Sequence, residues 1–333
     1  MQESVTIVSP AAPSRLGTPH QIEILAAVEP FIKQEIEAHL ARRKLWFPND
    51  LQPANADNSV EDEALVARLR EMARGLPAAV RVALALNLLT EEGLPHFHRL
   101  IASHMGHDSP WRDWNNLWTA EEDRHGCALR DYARDARVFN MGALEKLQYQ
   151  YIEAGFDPDW EQDPYRLLAY TSLQEKATQV AHSNTGRQAA GFEPRLQRIL
   201  AHVSFDESRH YLFYRAAFGE ILAQDPDHAL QSLQKVTLGF AMPGHKVSGF
   251  DDMSYVVRRI GIFGPRQYRA IVEELLDHWR IARITGLSPP GQEAQEKLMK
   301  MPSRLARIAD YADARGVKRS FKFDFLPQGG IEI

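Results

Sequence analysis

WTAEEDRHGCALRDY, residues 118–132, and FDESRHYLFY, residues 205–214, share one local pattern: an acid, then Glu, any residue, Arg and His. In an α-helix, positions three apart share a face. Glu122 with His125, and Glu207 with His210, therefore each set a carboxylate beside an imidazole. A single Glu-x-x-His reads as a surface ion pair. With 24 Glu and 13 His in 333 residues, random placement gives about one such spacing. Two carry little weight by number alone. Arg124 and Arg209 before the histidines, and Glu121 and Asp206 before the glutamates, turn the pair into a repeat.

Upstream, each copy has a companion. Glu91 lies in NLLTEEGLPHF, 31 residues before Glu122, and Glu175 lies in YTSLQEKATQV, 32 residues before Glu207. Both acids interrupt apolar helical segments, where a bare carboxylate is costly unless paired or bound to metal. The chain twice presents a helix bearing Glu, then a helix bearing Glu-x-x-His. Two antiparallel helix pairs would bring four carboxylates and two imidazoles together, the ligand set of ferritin-like di-iron and di-manganese bundles. Carboxylate oxygen and imidazole nitrogen suit iron or manganese. Four carboxylates balance two divalent ions, and one His per metal leaves positions open for O2. Asp206 and Glu121 stand where they can accept the second ring N–H of a ligand histidine.

The rest of the chain fits a helical protein. The apolar fraction is 44%, and helical periodicity runs from residue 20 to about 314 with no useful strand alternation. The expected fold is all-α: a ferritin-like four-helix bundle with additional packed helices, about eleven in all. Residues 1–18 read as a flexible tail, 19–326 as one domain and 327–333 as a C-terminal tail, although SFKFDFLPQGGIEI also permits a short hairpin. Pro30 is expected to kink the first helical stretch, and 79–104 reads as one continuous helix. Net charge is −5, which gives no nucleic-acid footprint. The single cysteine, Cys127, excludes an internal disulfide, fits a reducing cytoplasm and reads as a small packed residue. The N-terminal stretch lacks a signal-peptide pattern, and no apolar run is long enough for a membrane span.

TEEGLP, WTAEEDRHG, YTSLQEKAT, HSNTGRQA, DESRH, MPGH and TGLSPPGQEAQ, in this order, resemble the soluble acyl-carrier-protein desaturases, the plant stearoyl-type enzymes and their bacterial relatives. The resemblance spans about residues 20–325. It implies a homodimer with a di-iron site that inserts a cis double bond into a saturated acyl chain on acyl carrier protein. O2 and a ferredoxin-type electron donor are then required. Matched by motif, the ligands are Glu91, Glu122, His125, Glu175, Glu207 and His210. Trp46, Asp206 and His125 match the family's electron path, and Thr178 its threonine beside the metals. Thr90 and Trp118 match positions near the acyl cavity. Two helical turns from the ligands, Leu100, Ser103, Leu167 and Leu168 are expected to line or limit the channel, with Leu167 shortening it. Tyr211 and the HFHRL stretch depart from the plant pattern. They keep a second reading open, a di-iron acyl hydroxylase or N-oxygenase, and leave carrier protein against CoA thioester undecided.

An acidic carrier needs a basic patch on a net negative chain. Arg280, Arg283, Arg304 and Arg307 are the candidates. His96, His98, His104 and His107 form no regular ligand box and read as solvated or capping residues.

Overall fold

The computed structural model describes residues 16–51, 63–156, 158, 160, 162–314 and 316–333. Residues 1–15 of the expected N-terminal tail, and most of the loop after Trp46, lie outside them. The described chain forms α1 (Pro19–Ala27), α2 (Glu29–Arg42), α3 (Glu63–Arg74), α4 (Ala78–Glu91), α5 (Leu94–Met105), α6 (Pro110–Ala136) and α7 (Met141–Ala154). It continues with α8 (Pro164–Ala189), α9 (Pro194–Gln224), α10 (Pro226–Leu238), α11 (Phe250–Arg259), α12 (Pro265–His278) and α13 (Pro289–Ala314). The described residues are all-α except for one antiparallel hairpin, β1 (Ser320–Lys322) and β2 (Gly330–Glu332), in which Phe321 pairs with Ile331. Leu16 is already tied down, its N–H donating to Ser103 O at 3.2 Å.

Helix starts are written locally. Thr18, Ser109, Asp163, Glu193 and Asp225 each precede a proline, and each accepts a hydrogen bond from the first-turn backbone. Proline at the first helical position loses no bond there, since that N–H has no intrahelical partner. The first helical stretch breaks at Val28, two residues before Pro30, which then sits in the first turn of α2. The stretch expected as one helix over 79–104 is two: α4 ends at Glu91, and Pro95 lies in the first turn of α5. Gly93 stands at the break because Tyr151 crosses it. A Cβ there would meet Tyr151 Oη at 2.6 Å, and that hydroxyl donates to Pro243 O at 3.0 Å.

The four helices α4, α6, α8 and α9 form the central bundle. The α8–α9 hairpin makes the most extensive contact, α4 packs on α6 and α8, and α6 packs on α9. Two apolar regions fill the bundle. One gathers Trp111, Trp114 and Trp118 of α6 with Leu167 to Leu173 of α8 and Phe213 to Leu222 of α9. The other gathers Leu84 and Leu88 of α4 with Leu129 and Tyr132 of α6 and Leu196 to Val203 of α9. On α6 and α9 the acids and histidines fall between these regions, and Glu91 at the end of α4 and Glu175 of α8 meet them there, so the polar residues form a layer across the bundle. Among the described residues, no single helix is long and apolar enough to cross a membrane.

Candidate metal centre

The polar layer brings together all six side chains singled out by spacing. Glu91, Glu122, His125 and Glu207 form one group, and Glu122, Glu175, Glu207 and His210 a second. Within each group the donor atoms lie within 4.8 Å of one another, and every member is buried. His125 Nδ1 is 3.5–3.6 Å from carboxylate oxygens of Glu91, Glu122 and Glu207. His210 Nδ1 is 2.8 Å from Glu122 and 3.6 Å from Glu175. Glu122 and Glu207 belong to both groups and lie between the two positions. Glu92, the acid beside Glu91, turns away to pair with Arg130.

The outer nitrogens of both histidines are engaged. His125 Nε2 is 3.4 Å from Asp206 Oδ2, which also accepts from Trp46 Nε1 at 2.7 Å and Arg124 Nη2 at 3.1 Å. The Trp46 and His125 rings stack at 6.1 Å. His210 Nε2 meets Glu121 Oε2 at 2.9 Å, and His39 Nε2 reaches the same oxygen at 2.9 Å. With the outer nitrogens held, the Nδ1 atoms face the carboxylates. Thr178 donates to Glu207 Oε2 at 3.0 Å, and Trp118 Nε1 donates to Glu175 Oε1 at 3.1 Å.

The inward-facing atoms fit metal. Glu122 Oε1, His125 Nδ1, Glu175 Oε2 and His210 Nδ1 are buried and make no well-aligned hydrogen bond among the described residues, the 2.8 Å contact between His210 Nδ1 and Glu122 Oε1 included. Such orphaned polar atoms are costly unless a cation meets them. The electrostatics agree. Burial and the charge of Glu207 push the carboxyls of Glu175 and Glu122 above their ordinary range. Burial also works to raise Glu121, but its hydrogen bonds with His210 and His39 outweigh this and hold it well below that range. Burial opposes Asp206 in the same way, and His125 outweighs it. The donor set fits a di-iron centre, with ions supplying the charge that the crowded inner carboxylates lack.

Two cavities adjoin the layer. The larger, of about 330 Å³, is lined by Leu86, Asn87, Thr90, Thr178, His182 and Arg258 among others, and reaches the surface at Asp251. The smaller, of about 20 Å³, lies against Glu91, Glu122 and Glu207 and is lined by Thr90, Leu94, Phe97, Trp118 and Thr178. Thr90 and Thr178 line both. Neither cavity is lined by Leu100, Ser103, Leu167 or Leu168. Leu100, Leu167 and Leu168 are buried in the apolar region with Trp118, and Ser103 is half-buried where it receives Leu16.

Arg304 and Arg307 are exposed on α13, as are Arg280 and Arg283 just beyond α12. The two helices run antiparallel: Arg266 at the start of α12 pairs with Asp310 and Asp313, whereas Gln295 reaches Ile281 O. The four arginines are thus spread along the helix pair. At the cavity mouth stand other cations: Arg258 lines it, and the guanidinium groups of Arg258 and Arg319 lie over the Tyr255 ring.

Several side chains at the centre carry no local signal. His39 on α2 is 82 residues from its partner Glu121, and His182 on α8 is 91 residues from Glu91, at 2.6 Å. Cys127 is exposed, not packed, because α6 turns that face to solvent. His96 and His104 are buried, not solvated. His20, Asp225 and His228 also cluster, but hydrogen bonds explain the group: Asp225 caps α10, accepts from Tyr165 Oη and meets both imidazoles.

Comparison with known proteins matches residues 20–326 to the family described as Fatty acid desaturase. The seed-specific chloroplastic stearoyl-[acyl-carrier-protein] 9-desaturase of Brassica napus is 35% identical over 316 residues, covering 90% of this chain and 79% of that protein. The chloroplastic stearoyl-[acyl-carrier-protein] 9-desaturase of Ricinus communis is 32% identical, covering 89% and 78%. Among solved structures, DesA2 of Mycobacterium tuberculosis H37Rv shares the fold with a TM-score of 0.60 at 21% identity, covering 82% of this chain and 99% of that one.

Proposed function

Because the chain belongs to the fatty acid desaturase family, we infer that it is an acyl-[acyl-carrier-protein] desaturase, an oxidoreductase that inserts a double bond into a saturated acyl chain held as a thioester on acyl carrier protein. The observation that carries this reading is the convergence of Glu91, Glu122, His125, Glu175, Glu207 and His210 in one buried layer beside an apolar-lined cavity.

When bound, a pair of iron ions supplies the redox chemistry that activates O2, and manganese suits the same donors. Glu91 and His125 would hold one ion and Glu175 and His210 the other, with Glu122 and Glu207 within reach of both. Asp206 and Glu121 fix the two imidazoles so that Nδ1 faces inward. Thr178 orients Glu207. The apolar halves above and below exclude water from the layer.

Trp46 links this centre to the surface. It is buried, but its neighbours Leu45 and Phe47 are exposed, with Arg42, Arg43 and Lys44 alongside. That apolar spot with a cationic border suits an acidic ferredoxin-type donor, with Trp46, Asp206 and His125 as the path inward. On the other side, the 330 Å³ cavity takes the thioester arm and proximal acyl chain. The carrier then meets Arg258 at its mouth and Arg319 beside it over Tyr255. The reading retains one domain over 19–326, a homodimer and a reducing cytoplasmic setting, with sedimentation as the check on the dimer.

The deciding experiment incubates iron-loaded protein, reductant and O2 with a panel of saturated acyl carriers and CoA thioesters, followed by mass spectrometry. Loss of two hydrogens from a carrier-bound chain supports the reading. Gain of one oxygen without desaturation replaces it with the hydroxylase.

A further inference from the structure

His182 stands where the metal layer meets the large cavity. Its Nε2 lies 2.6 Å from Glu91 Oε1, while the residue, with Asn87, lines the 330 Å³ cavity. Hydrogen bonding fixes the tautomer. Thr185 Oγ1 gives its proton to Ala181 O at 2.8 Å, so it accepts from Asn87 Nδ2 at 3.3 Å. The same amide nitrogen directs its second hydrogen to His182 Nδ1 at 3.3 Å. Nδ1 is therefore an acceptor, and the ring proton sits on Nε2, donated to Glu91.

The other half of the centre is built differently. Glu175 Oε1 is held by Trp118 Nε1 at 3.1 Å. An indole donates only, and Trp118 does not line the large cavity. Glu91 and Glu175 are near-equivalent in the repeat, yet of these two only Glu91 has its carboxylate held by a side chain that lines that cavity; Thr178, which also lines it, donates to Glu207, which belongs to both groups.

We propose that His182 is a positioning residue for Glu91, and that the Asn87–His182 pair transmits the occupancy of the cavity to the metal position at Glu91 more than to the one at Glu175. The proposal rests on the reading of that cavity as the thioester entry. An occupant that turns the imidazole lengthens or releases the bond to Glu91, whose carboxylate then binds differently. Glu175 keeps its indole partner throughout.

The test uses full-length protein loaded with ferrous iron without O2, examined by Mössbauer spectroscopy with and without a saturated acyl carrier thioester. Thioester binding is measured separately by titration. In the wild type, the thioester should change the signal of one iron more than that of the other. Asn87→Leu, compared at thioester concentrations that saturate it in that titration, should retain its iron but lose that change. His182→Phe should lose iron from one position. His182→Gln keeps an N–H donor for Glu91, and should restore the iron without restoring the response. If Asn87→Leu and His182→Gln respond as the wild type does, the proposal is overturned while the desaturase stands. It also falls if the wild type binds thioester without a change at either iron, or if both signals shift equally. If no thioester binds the wild type, the reading of the cavity falls with it.

Discussion

Glu122 and Glu207 each belong to both ligand groups, whereas Glu91 and Glu175 each belong to one. Removing a shared carboxylate should therefore cost more iron than removing a terminal one. Metal analysis of Glu122→Ala and Glu207→Ala should show both ions largely lost, and Glu175→Ala should keep about half; full occupancy in the first two would mean that other residues hold the metal. Asp206 is the other residue on which much depends. It is buried and bonds Trp46, Arg124 and His125. Asp206→Ala leaves the Arg124 guanidinium buried without its carboxylate, which should cost about 3–5 kcal/mol in urea unfolding of the metal-free protein. The Asp206 carboxyl is held below its ordinary value by His125 against the effect of burial. Its contribution is therefore complete above the unfolded value and lost as pH falls through the lower folded one. The difference between wild type and Asp206→Ala should shrink below about pH 4. A deficit independent of pH would assign the loss to packing. At this scale Glu122, His125, Glu207 and His210 were legible as candidates because three-residue spacing on a helix is itself geometry, and Glu91 and Glu175 because each is an acid in an apolar helical segment at a repeated offset. His39 and His182 were not, because each finds its partner only when distant helices meet, 82 and 91 residues away in sequence.

Among the elements, α8 shows how much of the fold is written in short strings. Asp163 caps its first turn, receiving Tyr165 and Arg166 backbone N–H groups, and also accepts from Gln21 of α1 and Ser232 of α10. Asp163→Ala removes the cap and both cross-helix bonds. It should lower stability by about 2–4 kcal/mol, read as a shifted denaturation midpoint with an unchanged slope. The Asp-Pro start of α8 could be read without a structure. The interruption between α4 and α5 is marked by Gly93 and Pro95, which the continuous apolar period masked; only the crossing of Tyr151 from α7 carries no local signal. Gly93→Ala should displace the Tyr151 hydroxyl from Pro243 O and cost about 1–3 kcal/mol. Pro243 lines the small cavity, so product distribution should change as well. An unaltered distribution would separate the break from the substrate path.

For the whole molecule, charge placement decides where a carrier docks. The arginines singled out by sequence are dispersed along α12 and α13, whereas Arg258 is at the cavity mouth. Carrier binding should weaken with salt. Arg258→Glu/Arg319→Glu should reduce it by about tenfold or more, and Arg304→Glu/Arg307→Glu by less; the reverse order would move the docking site onto α13. The bundle also has a consequence for how the chain comes to be. α8 and α9 are joined by only residues 190–193 and share the broadest contact. Contacts that close short stretches of chain form early. Glu175, Glu207 and His210 all ride on that hairpin, so three of the four donors of one metal position are in place once it closes. The other position draws on α4, α6 and α9 and must wait for more distant segments to arrive. A chain still folding on the ribosome, or refolding from urea, would thus capture its first ion at the His210 side and its second only when the bundle shuts.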